Sequence, residues 1–158
     1  MKPIAIDLDV LGDTRQLWND WLADAARRFH SISPLDPAAL PEDRAAAAEQ
    51  LDRWAKDGVG DWRAALGRFA EDRAPVYLRP DAEISAALRE LAARGHRVGV
   101  FTDAPEPMAR VAVAQLGADR RIEALETGAG ALERLLATLG EHAVVVRDRA
   151  GLPVEFAR

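Results

Sequence analysis

The chain has no cysteine, so disulfides, thiolate metal sites and thiol nucleophiles are all closed to it. Its three histidines, His30, His96 and His142, stand too far apart for a zinc-ligand pattern. Lysine is nearly absent, with Lys2 and Lys56 the only two. No apolar run approaches the roughly 18 residues of a membrane-spanning helix, and the first residues lack the charged, apolar, small-residue order of a secretory leader. No membrane partner is expected, and a cytoplasmic location is. Basic residues number 21 against 26 acidic, a net charge of −5, and they are scattered without a basic face. Nucleic acid is thereby removed from the expected partners.

What is present describes an ordinary folded chain: 49% hydrophobic and 30% charged residues over 158 positions, enough for one domain with an insertion. Short apolar or β-rich runs mark four strands, "PIAIDL" (3–8), "HRVGVF" (96–101), "RIEALE" (121–126) and "HAVVVR" (142–147). The first, second and fourth read as buried on both faces. Between the last three lie "DAEISAALRELAARG", "PEPMARVAVAQLG" and "GALERLLATLG", each closing on a glycine suited to the left-handed position just past a helix. Strand, helix, strand, helix, strand is the pattern of right-handed crossovers, and it predicts a doubly wound α/β fold with a parallel sheet.

The interval from Thr14 to about Arg73 breaks that rhythm. Leu17, Trp18, Trp21, Leu22, Ala25 and Phe29 make one helical stripe, and "PEDRAAAAEQLDRWAKDG" and "DWRAALGRFAEDR" follow, split at Gly58 and Gly60. Residues 1–13 and 74–158 are thus expected to form the α/β core, with 14–73 a helical cap inserted after the first strand. The four tryptophans, Trp18, Trp21, Trp54 and Trp62, all fall in this insertion, and their helical spacing fits its core better than a substrate clamp.

The opening segment "IAIDLDVLGDT" (4–14) runs from a buried strand straight into acids two residues apart. Such acids suit either a polar loop or a reactive site. Parallel strands end on one edge, however, and that edge is where ligands bind in open α/β sheets. Asp7 and Asp9 follow the first strand, Thr102 and Asp103 the second, and Asp148 the fourth. Carboxylates converging there repel unless a cation lies between them. A hard divalent ion with oxygen ligands suits the arrangement, and Mg²⁺ is the natural candidate.

These segments together resemble the haloacid dehalogenase superfamily, most of whose members are Mg²⁺-dependent phosphohydrolases. The resemblance is carried by "IAIDLDVLGDT", by "RVGVFTDA" ending at Thr102, and by "ALERLLATLGEHAVVVRD" leading to Asp148. It implies Asp7 as the nucleophile that forms an aspartyl-phosphate, Asp9 as general acid and base, and Mg²⁺ held by Asp7, Asp9 and Asp148. It also implies that Thr102, with Asp103 beside it, binds phosphate near the next helix start. A small phosphorylated metabolite is the implied substrate; neither its identity nor the oligomeric state is written in the sequence.

Several positions depart from the family pattern. The glycine that usually follows the second aspartate is missing, and Gly12 is expected to supply the flexible turn instead. The lysine of the third motif has no counterpart near Ala129; Arg120, Arg121, Arg134 and Arg147 are the nearby cations, with Arg147, next to Asp148, a candidate substitute. Leu152 and Pro153 stand where a second acid is common. One unit charge at about 4 Å is worth roughly 4 kcal/mol at an effective dielectric near 20, on the order of a thousandfold in rate. A slow or specialised phosphatase is therefore one expectation, and a catalytically impaired descendant acting as a ligand- or partner-binding module is the alternative. "TGAGA" (127–131) is read as the entry to a helix, because a dinucleotide fingerprint would require glycine at Glu133.

Overall fold

A computed structural model of the protein describes residues 1–29 and 35–154. His30 and the last four residues of "GLPVEFAR" lie outside them. Four strands, β1 (Ile4–Asp7), β2 (Val98–Thr102), β3 (Ala124–Thr127) and β4 (Val144–Val146), form one parallel sheet in the order β3-β2-β1-β4. β1 lies centrally, pairing with β2 from Ile4 opposite Val98 to Asp7 opposite Phe101, and with β4 from Ile4 opposite Val144 to Ile6 opposite Val146. β2 continues the register to β3, with Thr102 opposite Thr127. The four carboxyl ends are therefore aligned on one edge, as the sequence pattern required.

β1 and β2 are buried on both faces because each face meets helices. Ile4, Ile6, Val98 and Val100 join the larger apolar cluster, while Ala5 and Phe101 point to the other face and meet Ala131, Leu135 and Leu139. Those last three belong to α7 (Ala131–Leu139), which lies so close to β2 that a methyl group on Gly99 would stand 2.5 Å from Leu135 Cδ1. β4 differs from expectation. It is an edge strand of three residues, and Val145 is 38% exposed, since nothing described covers its outer face.

The helices α5 (Ala82–Ala93) and α6 (Glu106–Gln115) start and stop where the sequence signals place them. Asp81 caps α5 by accepting hydrogen bonds from the N–H groups of Glu83 and Ile84, and Pro105 stands at the cap of α6. Gly95, Gly117 and Gly140 follow the three helices of the core with positive φ angles of 84°, 69° and 115°, the conformation a side chain would strain.

Between β1 and α5 the chain makes a single short turn, α1 (Leu8–Leu11), and then three longer helices, α2 (Arg15–Phe29), α3 (Arg44–Trp54) and α4 (Trp62–Tyr77). α4 continues four residues beyond Arg73, so the insertion and the core share a helix. They also share a core. Leu17, Trp18, Trp21, Leu51, Trp62 and Leu66 lie in the same buried cluster as Ile4, Val100 and Met108. Trp18 and Trp21 rings are 5.5 Å apart, Trp21 and Trp62 5.9 Å, both tilted. Such aromatic contacts add to the burial that already holds helices together. Trp62 Nε1 donates to Asp52 at 2.9 Å and so ties α4 to the end of α3. Trp54 is partly buried against this cluster. The tryptophans are packing residues.

Candidate active site

Beyond the carboxyl ends of the strands opens a cavity of about 560 Å³, a volume that fits a small molecule. Asp7, Asp9, Phe101, Thr102, Asp103 and Arg147 line its floor, α3 contributes Arg44, Ala45, Ala46 and Glu49, and residues 128–133 form a further wall. The inserted helices thus reach the edge where the sheet ends, with α3 over the site.

Asp7 ends β1 and caps α1: its Oδ1 accepts from the N–H of Asp9 at 3.0 Å, and its Oδ2 receives no hydrogen bond from the described residues. Burial pushes its carboxyl above the ordinary value. The N–H of Asp9 opposes that shift, the charge of Asp9 adds to it, and Arg147 and Arg44 pull it back. One oxygen of Asp7 is thus oriented by a backbone N–H, while the other faces no donor among the described residues.

Asp9 is held more firmly. Its Oδ1 accepts from the backbone N–H of Thr14 at 2.9 Å and from the Thr14 hydroxyl at 2.7 Å, and its Oδ2 from Arg44 Nη2 at 3.1 Å. Gly12 plays no flexible part in this. Its φ of −177° is extended backbone open to any residue. A side chain is excluded there for another reason, since a Cβ would meet Leu116 Cδ2 and Cδ1 at 2.8 and 2.9 Å.

Thr102 ends β2, is buried, and accepts on its hydroxyl from the N–H of Ala104 at 3.2 Å. Asp103 lines the cavity, and its carboxylate is bound to Arg44. Its Oδ1 accepts from Arg44 Nε at 2.8 Å and its Oδ2 from the Arg44 backbone N–H at 2.9 Å. Burial alone would raise the Asp103 carboxyl, but these bonds and the charge of Arg44 outweigh it and hold the group below its ordinary value.

Arg44 was not singled out by the sequence, and the signal was faint. It occupies the first position of α3, where the helix dipole disfavours a cation, directly after the capping residue Asp43. A basic residue there implies a compensating partner elsewhere. Thr14 is its companion: fully buried, within the quoted opening segment, and linked both to Asp9 and, through its hydroxyl, to Arg44 Nη1 at 2.6 Å.

Of the arginines weighed as substitutes for the motif lysine, Arg147 reaches the cavity, with its guanidinium carbon 5.3 Å from the centre of the Phe101 ring. It makes no ion pair among the described residues. Arg134 instead folds back onto Glu126 and onto the carbonyls of Thr127 and Ala129, and Arg120 and Arg121 do not line the cavity. The "TGAGA" segment is the entry to α7, and it is also a wall of the site. Gly128 and Gly130 take positive φ angles of 76° and 69°, and α7 starts without a side-chain cap. Its first N–H groups are therefore left for water or a ligand.

The three acids expected around Mg²⁺ are not brought together as a ligand set. Asp148 caps the short turn Arg149–Gly151, its Oδ1 accepting from Gly151 N–H at 2.8 Å, and it is absent from the cavity lining. Among the described residues no group of three or more acidic or histidine side chains is placed to hold a metal ion. With Asp9 engaged by Thr14 and Arg44 as well, the arrangement does not fit a divalent ion shared by Asp7, Asp9 and Asp148.

Fold and site together place a polar cavity at the carboxyl edge of a parallel α/β sheet. Residues 8–154 match the haloacid dehalogenase-like hydrolase family, to which the chain belongs. Among solved structures, a Thermotoga maritima protein described as a "putative beta-phosphoglucomutase" superposes with a TM-score of 0.58 at 16% identity, covering 92% of this chain and 75% of that one. At that identity the likeness speaks to the fold. No curated protein matches the chain. No helix of the described residues is long and apolar enough to cross a membrane.

Proposed function

We propose that the protein is a phosphatase of this family, acting on a small phosphorylated metabolite through an aspartyl-phosphate at Asp7. The observation that supports it is the environment of Asp7. One oxygen accepts no hydrogen bond from the described residues, Arg147 stands in the same cavity, and the uncapped start of α7 forms the neighbouring wall. An anionic group entering the cavity meets a guanidinium and helix N–H donors, which favour negative charge. Asp7 Oδ2 then attacks phosphorus as the ester oxygen leaves. Water cleaves the acyl phosphate in the second step, returning the carboxylate. Asp9, two residues on, is the proposed acid and base; to give the leaving oxygen its proton and take one from water it has to part from Thr14 or Arg44.

Members of the family generally use Mg²⁺. Of the acids expected to hold it, Asp9 is bound by Thr14 and Arg44 and Asp148 lies outside the cavity lining, so no step is routed through it. A second reading, a binding module without turnover, is favoured by one observation: both oxygens of Asp9 are occupied by donors. The two separate on a panel of phosphate esters assayed for released phosphate with and without Mg²⁺. Release that is lost in Asp7→Asn supports the phosphatase. Release that survives in Asp7→Asn refutes Asp7 as nucleophile, and no release from any ester, with saturable binding of one of them, establishes the second reading.

A further inference from the structure

Thr14, Arg44 and Thr102 are the buried polar or charged residues among those described, and all three belong to one cluster. At its centre is the Arg44 guanidinium, 1% exposed. Nε reaches Asp103 Oδ1 at 2.8 Å, Nη2 reaches Asp9 Oδ2 at 3.1 Å and Thr102 Oγ1 at 3.5 Å, and Nη1 reaches the Thr14 hydroxyl at 2.6 Å. Asp9 follows β1 and Asp103 follows β2, neighbouring strands whose ends bring the two acids together. Like charges so placed require a cation between them. Here the cation is a side chain, delivered from the inserted helix α3.

A guanidinium suits that place for physical reasons. Its planar set of N–H donors is fixed in direction, so several acceptors are satisfied at once without loss of water from a metal ion. A divalent ion entering between the same acids would have to part Arg44 from Asp9 and leave a buried guanidinium without one of its carboxylates, a strongly unfavourable change.

We infer that Arg44 is the resident cation of this site, standing between Asp9 and Asp103 in place of a divalent metal, and that the folded protein binds Mg²⁺ or Mn²⁺ weakly or not at all while Arg44 is there. The inference concerns the cation and not the chemistry at Asp7, so its test involves no turnover and its failure leaves the phosphatase reading standing. Mn²⁺ is titrated into the full chain, free ion being read by electron paramagnetic resonance, with thermal melting followed in parallel in EDTA and in Mn²⁺. The wild type is expected to show no saturable site and the same melting temperature in both. Arg44→Met is expected to melt lower in EDTA and to bind Mn²⁺ at least about tenfold more tightly than wild type, because a competing unit positive charge has left two facing carboxylates. Arg44→Lys, which keeps the charge, is expected to bind no more Mn²⁺ than wild type. Saturable, stoichiometric Mn²⁺ binding by the wild type with a raised melting temperature overturns the inference, as does an Arg44→Met protein that folds and gains no affinity. Where Arg44→Met does not fold, the wild-type and Arg44→Lys titrations decide alone.

Discussion

Replacing Asp103 by asparagine tests how the inserted helices are fastened to the sheet edge. Asp103 uses both oxygens as acceptors, one for Arg44 Nε at 2.8 Å and one for the Arg44 backbone N–H at 2.9 Å. An amide of the same shape can accept with its oxygen at only one of these, and its NH₂ then faces a donor. Removing one partner of a fully buried ion pair costs about 3–5 kcal/mol. Asp103 is 32% exposed and Arg44 keeps Asp9, so solvent and the second carboxylate reduce this to about 2–3 kcal/mol. For a chain of this length that lowers the melting temperature by roughly 4–12 °C. The effect has a pH signature. The Asp103 carboxyl lies below its ordinary value in the fold, so its contribution is complete above the unfolded value and is lost as pH falls through the folded one. Calorimetric melting of both proteins from neutral to acid pH should therefore show the full gap at pH 7 and a narrowing gap on acidification. A gap under about 1 °C at pH 7, or one that persists unchanged in acid, refutes the reasoning.

Three further substitutions address other parts of the account. Asp7→Asn should abolish phosphate release yet raise the melting temperature at neutral pH. Burial raises the Asp7 carboxyl, so its ionised form weakens the fold as pH rises through the folded value, and melts across that window should be flatter for the variant. Arg147→Met should lower the rate by roughly ten- to a hundredfold, the effect of losing about 1–3 kcal/mol of charge interaction at a solvent-facing site, and Arg147→Lys should recover part of it. The acid limb of the pH–rate profile should also move to higher pH in Arg147→Met, because Arg147 draws the Asp7 carboxyl down. Gly12→Ala should destabilise by about 1–2 kcal/mol through overpacking against Leu116, measurable by urea unfolding, with no change in slope.

The fold was legible where local chemistry and tertiary structure agree. β1, β2, α5 and α6 carry apolar patterns and punctuation that nothing in the surroundings overrides, and the convergence of Asp7, Thr102 and Arg147 follows from parallel strands alone. β4 was misjudged because three valines signal burial, while its place at the sheet edge leaves Val145 exposed. Gly12 was read as a hinge, since a lone glycine in a loop more often marks conformational need than the close approach of a side chain from α6's far end. Asp103 and Asp148 illustrate a different limit. Spacing puts a carboxylate at a strand end, but whether its oxygens are open to a ligand depends on competing donors. For Asp103 that donor came from a helix 59 residues away in sequence, and for Asp148 from Gly151. The role of Arg44 is hidden in the sequence for the same reason, its partners being distributed over α1, the turn after it and the end of β2.

The most direct measurement is of the covalent bond at Asp7. The protein is mixed with the ester it turns over fastest, quenched in acid within a turnover, digested, and the peptide carrying "IAIDLDVLGDT" is weighed and fragmented. A phosphoryl group on Asp7, absent in Asp7→Asn and lost on longer incubation after the ester is consumed, is the predicted result. A phosphoryl group on any other residue, or steady release of phosphate with Asp7 unmodified throughout, contradicts it.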